Sequence, residues 1–264
     1  MADVCAGFEY LRHDSPQAGF IMRDFGEETV NLGCYETQYM PVHDARENTE
    51  RFNLDEHGFV LLNHEVVPAL AFGDDRAITQ HYYPEISALL REYLQATAVI
   101  IIDHTQRSSQ PTPGLRRTAA HVHNDYTAAS CWQRLRDSVG DKQAAAWAER
   151  RLLQVNVWRP LTEPVRVAPL GLLDGRSVAA DDLVPSPIIY PERRGEIYSV
   201  RHNPHHRWHY FSQMRCDEVL LFKGYDSAEN GAVKFTPHAA FKHPDSKPDD
   251  PPRRSIEVRT LVLI

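Results

Sequence analysis

The chain has 264 residues, enough for one large core and too short for two ordinary enzyme domains. Hydrophobic residues make up 42 % and charged residues 25 %, which sets aside a disordered chain, while a formal charge of -7 gives no pull toward nucleic acid or anionic lipid. The start MADVCAGFEYLRHDSP lacks the basic and apolar regions of a secretory signal, and no apolar run approaches a bilayer span, so a soluble, cytoplasmic protein without nucleic-acid or membrane partners is expected.

Residues 1–57 are polar and mixed, with weak strand signals around VNLGCYETQYMPV, and are expected to form an N-terminal extension packed on or near the core. GFVLLNHEV (58–66) reads as a strand. EISALLREYLQAT (85–97) places Ile86, Leu89, Leu90, Tyr93 and Leu94 at the spacing of an amphipathic helix, and AVIIID (98–103) follows as a buried strand. The Pro/Gly/Arg-rich loop QRSSQPTPGLRRT leads into HVHNDY, and about 127–151 a helical insert is expected, broken near Gly140. Thereafter short strands alternate with turns: RLLQVNVW, VRVAPLGLL, EIYSVR, RWHYF, EVLLFK, AVKFT and IEVRTLVLI. That spacing, with eighteen prolines in the chain, favours a mainly β sandwich or barrel over a parallel α/β sheet. A single domain spans 1–264, with its core at 58–264. Cys5, Cys34, Cys131 and Cys216 are widely separated and read as free thiols of a reducing compartment.

Within His123-Asn124-Asp125, residues two apart on a strand project from one face, so an imidazole and a carboxylate can converge on one metal ion. Two His and one carboxylate leave open positions on an octahedral Fe(II), the arrangement of non-haem oxygenases. The third ligand must come from a distant strand, and His238 in KFTPHAAF is the candidate. Fifteen residues further on, Arg253 and Ser255 open the last strand. A guanidinium there can hold the far carboxylate of 2-oxoglutarate through two hydrogen bonds, with the Ser255 hydroxyl as a further donor. Tyr198, on an inward strand face, could donate to 2-oxoglutarate or substrate, and Asn156 could orient water or a keto acid. His205, His206 and His209 read as an exposed tract after a turn at Asn203-Pro204.

The segments HVHNDYT, VNVWRPL, YSVRHNPHHRWHYF, EVLLFKGYDS, FTPHAAF and PPRRSIEVRTLV resemble, in that order, the cephamycin methoxylase-related and gibberellin-desaturase-like oxygenases of specialised metabolism. The resemblance covers about 55–264. It implies a double-stranded β-helix, or jelly roll, with flanking α-helices; His123, Asp125 and His238 as iron ligands; and Arg253 as the co-substrate anchor. It further implies Fe(II), 2-oxoglutarate and O2 as cofactor and co-substrates, release of succinate and CO2, and a small molecule that is hydroxylated, desaturated or cyclised. Three other readings stay open at this point. One is an iron oxidase that dispenses with 2-oxoglutarate. Another is a zinc hydrolase built on His121-Val122-His123-Asn124-Asp125, and the third a jelly roll that only binds its ligand.

Overall fold

A computed structural model describes residues 3–23, 28–65 and 72–264, with Glu28 described by its backbone alone; Val66, the end of the strand expected at 58–66, lies outside them. Two sheets face each other, as short strands punctuated by Pro and Gly require. The larger runs in the order β1 (Val4–Leu11), β4 (Tyr35–Asp44), β13 (Trp208–Tyr210), β10 (Leu170–Leu173), β15 (His238–Ala240), β8 (His123–Asn124), β12 (Arg194–Val200), β11 (Leu183–Ile189), β2 (Phe20–Arg23) and β3 (Glu28–Asn31). The smaller runs β5 (Phe59–Asn63), β14 (Glu218–Asp226), β9 (Leu152–Pro160), β16 (Arg254–Leu263), β6 (Ala98–Ser108) and β7 (Arg116–Arg117). Large curled sheets with few helices make this a mainly β, jelly-roll architecture.

Every residue of β9 and β14 is buried, because both strands are covered on two sides. Leu153, Val155 and Val157 face outward against a helical layer: α1 (Asp75–Ala77), a π-helical turn (Ile78–Tyr82) and α2 (Tyr83–Leu94), which delivers Ile78, Tyr82, Ile86 and Leu90. Ile86 and Leu90 stand one turn apart on one face, as the sequence spacing predicts. The alternate residues Gln154, Asn156 and Trp158 point between the sheets. Helix α3 (Ala128–Val139) and the short α4 (Asp141–Ala146) meet at Gly140 and cover the far end of the same sheet through Cys131, Leu135 and Ala144.

The amino-terminal strands are part of the larger sheet. The ladder β1–β4 continues it at one end, and isolated bridges Glu9–His121 and Leu11–Arg201 carry β1 back toward β8 and β12. The roll so formed encloses a separate core of Phe8, Tyr10, Val122, Trp208 and Phe241, with Phe8 stacked on Trp208 at 3.8 Å between ring centroids.

Two expectations change, and one strand appears where none was expected. AVKFT forms no strand, since its backbone is engaged irregularly: Val233 N–H on Asp55 O, and Thr236 N–H on Lys223 O. VRVAPLGLL becomes extended only from Leu170, after Ala168 takes a left-handed φ of 47°. Conversely LVPSPII forms β11 despite two prolines. They alternate along the strand, so their missing donors fall on the side where β2 joins only at Ile188 and Ile189. Among the described residues no helix is long and apolar enough to cross a membrane.

Candidate metal centre

The site is assembled by strand register. His43, His209, Leu172, His238, His123 and Ser199 stand opposite one another across β4, β13, β10, β15, β8 and β12, and residues directly paired in a ladder share a face. His238 and His123 are therefore immediate neighbours, their rings 4.5 Å apart between centroids. Asp125, two residues on, returns to the same face, and one ligand atom each from His123, Asp125 and His238 lies within 4.8 Å of the others. Among the described residues this is the one such group of three His, Cys or acidic side chains.

The tautomers follow from the surroundings. His123 Nδ1 lies 2.8 Å from the carbonyl of His121, and His238 Nδ1 lies 3.1 Å from that of Thr236. Each Nδ1 can only donate there, which leaves each Nε2 with a free lone pair turned to the cluster. Burial, reinforced by His123, pushes the pKa of His238 down to about 3, so its imidazole is neutral at pH 7. Burial works against ionisation of Asp125, but the close approach of His123, whose Nε2 lies 3.5 Å from Oδ1, and the nearby Arg259 outweigh it and hold the carboxyl well below its ordinary range. Two imidazoles and one carboxylate are the donor set that suits a divalent ion such as Fe(II).

Asn124, wholly buried between His123 and Asp125 in the chain, points the other way. Its Nδ2 donates to the carbonyls of Tyr126 and Gly224, both at 2.7 Å, and its Oδ1 accepts from the Thr236 amide at 3.1 Å. Behind Asp125, Asn156 Nδ2 donates to Oδ2 at 2.6 Å and Asn156 Oδ1 accepts from Gln154 Nε2 at 2.6 Å. Asn156 is thus brought to the cluster, with its amide engaged on the Asp125 carboxylate. Gly224 admits this chain of amides, since a Cβ there would stand 1.8 Å from Gln154 Oε1.

Arg253 is 2 % exposed, just ahead of β16, with its guanidinium 5.4 Å from the Trp158 ring. Nη1 donates to the Ala168 carbonyl, whereas Nε is buried without a partner. Burial, together with the charge of Arg107, pushes its pKa down to about 9. A buried guanidinium with an unmet donor and no carboxylate bonded to it fits a bound carboxylate. Ser255 is buried beside it, opposite Arg107 of β6 and Pro160 of β9.

Tyr198 is not brought to this group. It pairs with Asn124, so it shares the face turned away from His123, and its ring meets Phe235 at 5.1 Å. Ser199 holds the position beside His123, with its hydroxyl 3.1 Å from that of Tyr35. His121, needed for the zinc-hydrolase pattern, is held by Asn31 at 3.0 Å and packed against Tyr35, away from the ligands. The histidine tract is not uniformly exposed. His206 is buried between Tyr10 and Asp182, at 3.0 and 3.1 Å, because the turn at Asn203 folds it inward.

Sequence reasoning passed over Glu257, Arg259, Arg107, Gln154 and Asn124. Glu257 is buried, and burial together with Asp125 raises its pKa while Arg259 and Arg107 oppose the rise. Arg259 donates to Asp103 at 2.7 Å and to Thr105 at 2.9 Å. The signal was present: in Arg253-Arg254-Ser255-Ile256-Glu257-Val258-Arg259 the polar residues fall at every second position, a polar stripe on one face of the strand.

Two cavities flank the cluster. One of about 490 Å³ is lined by Asp125, Tyr126, Arg259 and residues of α3 and β12, the other of about 380 Å³ by His123, Arg107, Arg116 and residues of β2 and β11.

A family model described as YDMC, oxidoreductase/YMDC permease-like domain, matches residues 8–263. The chain is 33 % identical over 228 residues to the Fe(II)/2-oxoglutarate-dependent dioxygenase nvfI of Aspergillus novofumigatus, covering 84 % of this chain and 81 % of the relative. It is 31 % identical to the hydroxylase/desaturase CTB9 of Cercospora beticola (91 % and 83 % covered) and 34 % identical to the hydroxylase/desaturase efuI of Hormonema carpetanum (87 % and 84 %). Among solved structures it is similar to the iron and alpha-ketoglutarate-dependent endoperoxidase NvfI. The TM-score is 0.90 at 28 % identity, with 99 % of this chain and 98 % of that one covered.

Proposed function

The chain belongs to the oxidoreductase/YMDC permease-like domain family, and on that premise we propose that His123, Asp125 and His238 hold Fe(II) while Arg253, aided by Ser255, anchors 2-oxoglutarate. The protein is an Fe(II)/2-oxoglutarate-dependent dioxygenase. It oxidises a small specialised metabolite with O2, by hydroxylation, desaturation or ring formation, and releases succinate and CO2. Its relatives are dioxygenases and hydroxylases of fungal secondary metabolism, and the finer likeness to cephamycin methoxylase-related and gibberellin-desaturase-like enzymes is part of this reading. Four free cysteines accord with a cytoplasmic setting.

The observation that carries the site is the convergence of three ligand atoms whose imidazole Nδ1 positions are already committed to backbone carbonyls. When bound, the ferrous ion with 2-oxoglutarate supplies the activation of O2. The residues of this chain provide the rest. Asn156 fixes the angle of the Asp125 carboxylate, and Phe222 packs on the His238 ring at 4.6 Å and shields it from water. Arg253 offers its free Nε–H to a carboxylate on the floor of the interior. Glu257 is not brought into contact with Arg253 by any hydrogen bond, so that donor is left for the co-substrate.

Anaerobic Fe(II) titration with succinate release as a second readout tests the reading. His123→Ala and His238→Ala should each abolish iron retention in a folded protein. Arg253→Gln should keep iron and raise the 2-oxoglutarate requirement by about 100-fold, the loss of a charge-assisted bidentate contact. Iron binding that survives both histidine substitutions would refute the assignment.

A further inference from the structure

The two cavities look onto different ends of the polar stripe on β16. Ser255 is paired with Arg107, which lines the 380 Å³ cavity, whereas Arg259 is paired with Asp103, and both of these line the 490 Å³ cavity. Along a strand those two positions are about 13 Å apart. The proposed co-substrate anchor, Arg253 with Ser255, belongs to the first end, so the 490 Å³ cavity is the one left open on the other side of the cluster.

That cavity runs from Asp125 outward between α3 and the tip of the β11–β12 hairpin. Ser199 pairs with His123 and Tyr198 with Asn124, so one further step in the same register sets Ile197 beside Asp125. Ile197 is 7 % exposed, and with Ile188 it borders both cavities as an apolar partition. Nearer the tip, Gly195 stands opposite Ile188 in the ladder, with no left-handed φ to account for it. A Cβ built there would meet no atom within 4 Å, and a glycine inside a strand often marks a close approach by a ligand. The charges at the inner end are already matched. Asp103 accepts from Arg259 at 2.7 Å and lies 4.0 Å from Arg134, while Glu196 accepts from Thr127 at 2.7 Å. Arg194, at the tip, is exposed to solvent.

We propose that the 490 Å³ cavity receives the substrate to be oxidised, that this substrate is an uncharged, largely apolar ring molecule, and that Gly195 and Ile197 set how deeply it enters. A cavity of this volume suits a ligand of drug size, and an ionised group brought to its inner end would find no unmatched charge. The inference rests on the Fe(II)/2-oxoglutarate reading of the centre and adds the substrate class to it. Ile197 stops the ring body short of the co-substrate side, and the space above Gly195 holds the remainder, so the two residues fix which carbon lies next to the cluster.

The experiment uses the whole protein, loaded anaerobically with Fe(II) and 2-oxoglutarate, and follows by equilibrium dialysis the binding of progesterone, 2-naphthol and 2-naphthoate. The wild type should bind progesterone, and should hold 2-naphthol at least as tightly as the charged naphthoate. Gly195→Leu should weaken progesterone by about tenfold or more and leave the smaller 2-naphthol within about twofold, with Gly195→Ala in between. Affinity for Fe(II) and for 2-oxoglutarate should stay within about twofold in both variants. Should the leucine variant fail to fold, the alanine variant carries the same comparison. Binding of none of the three probes by the wild type, or tighter binding of naphthoate than of naphthol, overturns the proposal without any variant. Progesterone affinity that is indifferent to the side chain at 195, or that falls no more than that of naphthol, overturns it too. A Gly195→Leu protein that loses 2-oxoglutarate instead places the co-substrate in this cavity and also overturns it. A wild type that takes up neither Fe(II) nor 2-oxoglutarate removes the underlying reading, and the inference with it.

Discussion

Asn156→Leu separates the geometry of the ligand from its identity. The substitution keeps the volume of the side chain but deletes the 2.6 Å donor to Asp125 Oδ2 and the 2.6 Å acceptor of Gln154 Nε2. A hydrogen bond to a charged group contributes about 1.5–3 kcal/mol, and a buried amide stripped of its partner costs about 1–3 kcal/mol. Gln154 Oε1 already lacks a partner, so the variant leaves both ends of that buried amide unmet. A stability loss of about 3 kcal/mol follows, a fall of about 6–12 °C in melting temperature for a chain of this size. Loss of the group that orients a metal-binding carboxylate typically weakens the metal by about 10–100-fold. Anaerobic Fe(II) titration and thermal denaturation measure the two effects. Gln154→Leu touches Asp125 only through Asn156, so alone it should cost less iron affinity, and the double variant should bind iron no worse than Asn156→Leu. The reasoning fails if Asn156→Leu, still folded, holds Fe(II) within about twofold of the wild type, or if Gln154→Leu weakens iron equally.

Gly224→Ala should loosen the same chain from the opposite side, since its methyl group would sit 1.8 Å from Gln154 Oε1; a melting temperature unchanged from wild type would contradict the close approach. Thr127 caps α3 through the Ser130 amide at 3.0 Å and also donates to Glu196 at 2.7 Å, so Thr127→Ala should cost about 1–2 kcal/mol in denaturant unfolding while Thr127→Ser recovers most of it. Burial, with His43 adding to it, lowers the pKa of His209 to about 4, below the 6.5 of an unfolded histidine. Between these values the unfolded chain binds the extra proton, so the stabilisation is complete above pH 6.5 and is lost as pH falls toward 4. At pH 5 that amounts to about 2 kcal/mol for a fully enclosed ring and about 1 kcal/mol once partial exposure is allowed for. Melting curves from about pH 7.5 to about pH 5 should therefore be flatter for His209→Gln, and parallel curves would refute the assignment.

How much of this was legible in the sequence depends on whether a feature is local. Ile86 and Leu90 announce α2 by spacing alone, and the His-x-Asp alternation announces a shared face. Ala6, Phe8 and Tyr10 carry the same two-residue signal, but scattered among polar neighbours they did not mark β1, and the core they build with Trp208 joins segments about 200 residues apart. Tyr198 shows the opposite failure. Alternation says that Tyr198 and Ser199 face different ways, but only pairing with Asn124 and His123 says which of them faces the metal side. Asn156 stood out as a polar group on a strand of apolar residues, while its partner, the Asp125 carboxylate 31 positions away, could be known only from the fold.

That dependence on register explains why a strand as short as β8 can position both side chains of the His123–Asp125 pair. His123 and Asp125 sit at a point where a shift by one residue would turn both outward and bring Asn124 to the metal side. Two ladder residues provide little resistance to such a slip. The resistance comes from Asn124, whose amide meets the carbonyls of Tyr126 and Gly224 and the backbone of Thr236 at once. In a slipped register these groups would face an imidazole: the two buried carbonyls would lose this donor, at about 1–3 kcal/mol each, and the Thr236 amide would keep only its bond to the Lys223 carbonyl. Thr236 is also the residue whose carbonyl fixes the tautomer of His238. One buried amide thereby ties the strand bearing His123 to the turn bearing His238, so the two imidazoles are placed by a shared bond behind the sheet, independently of the metal in front of it.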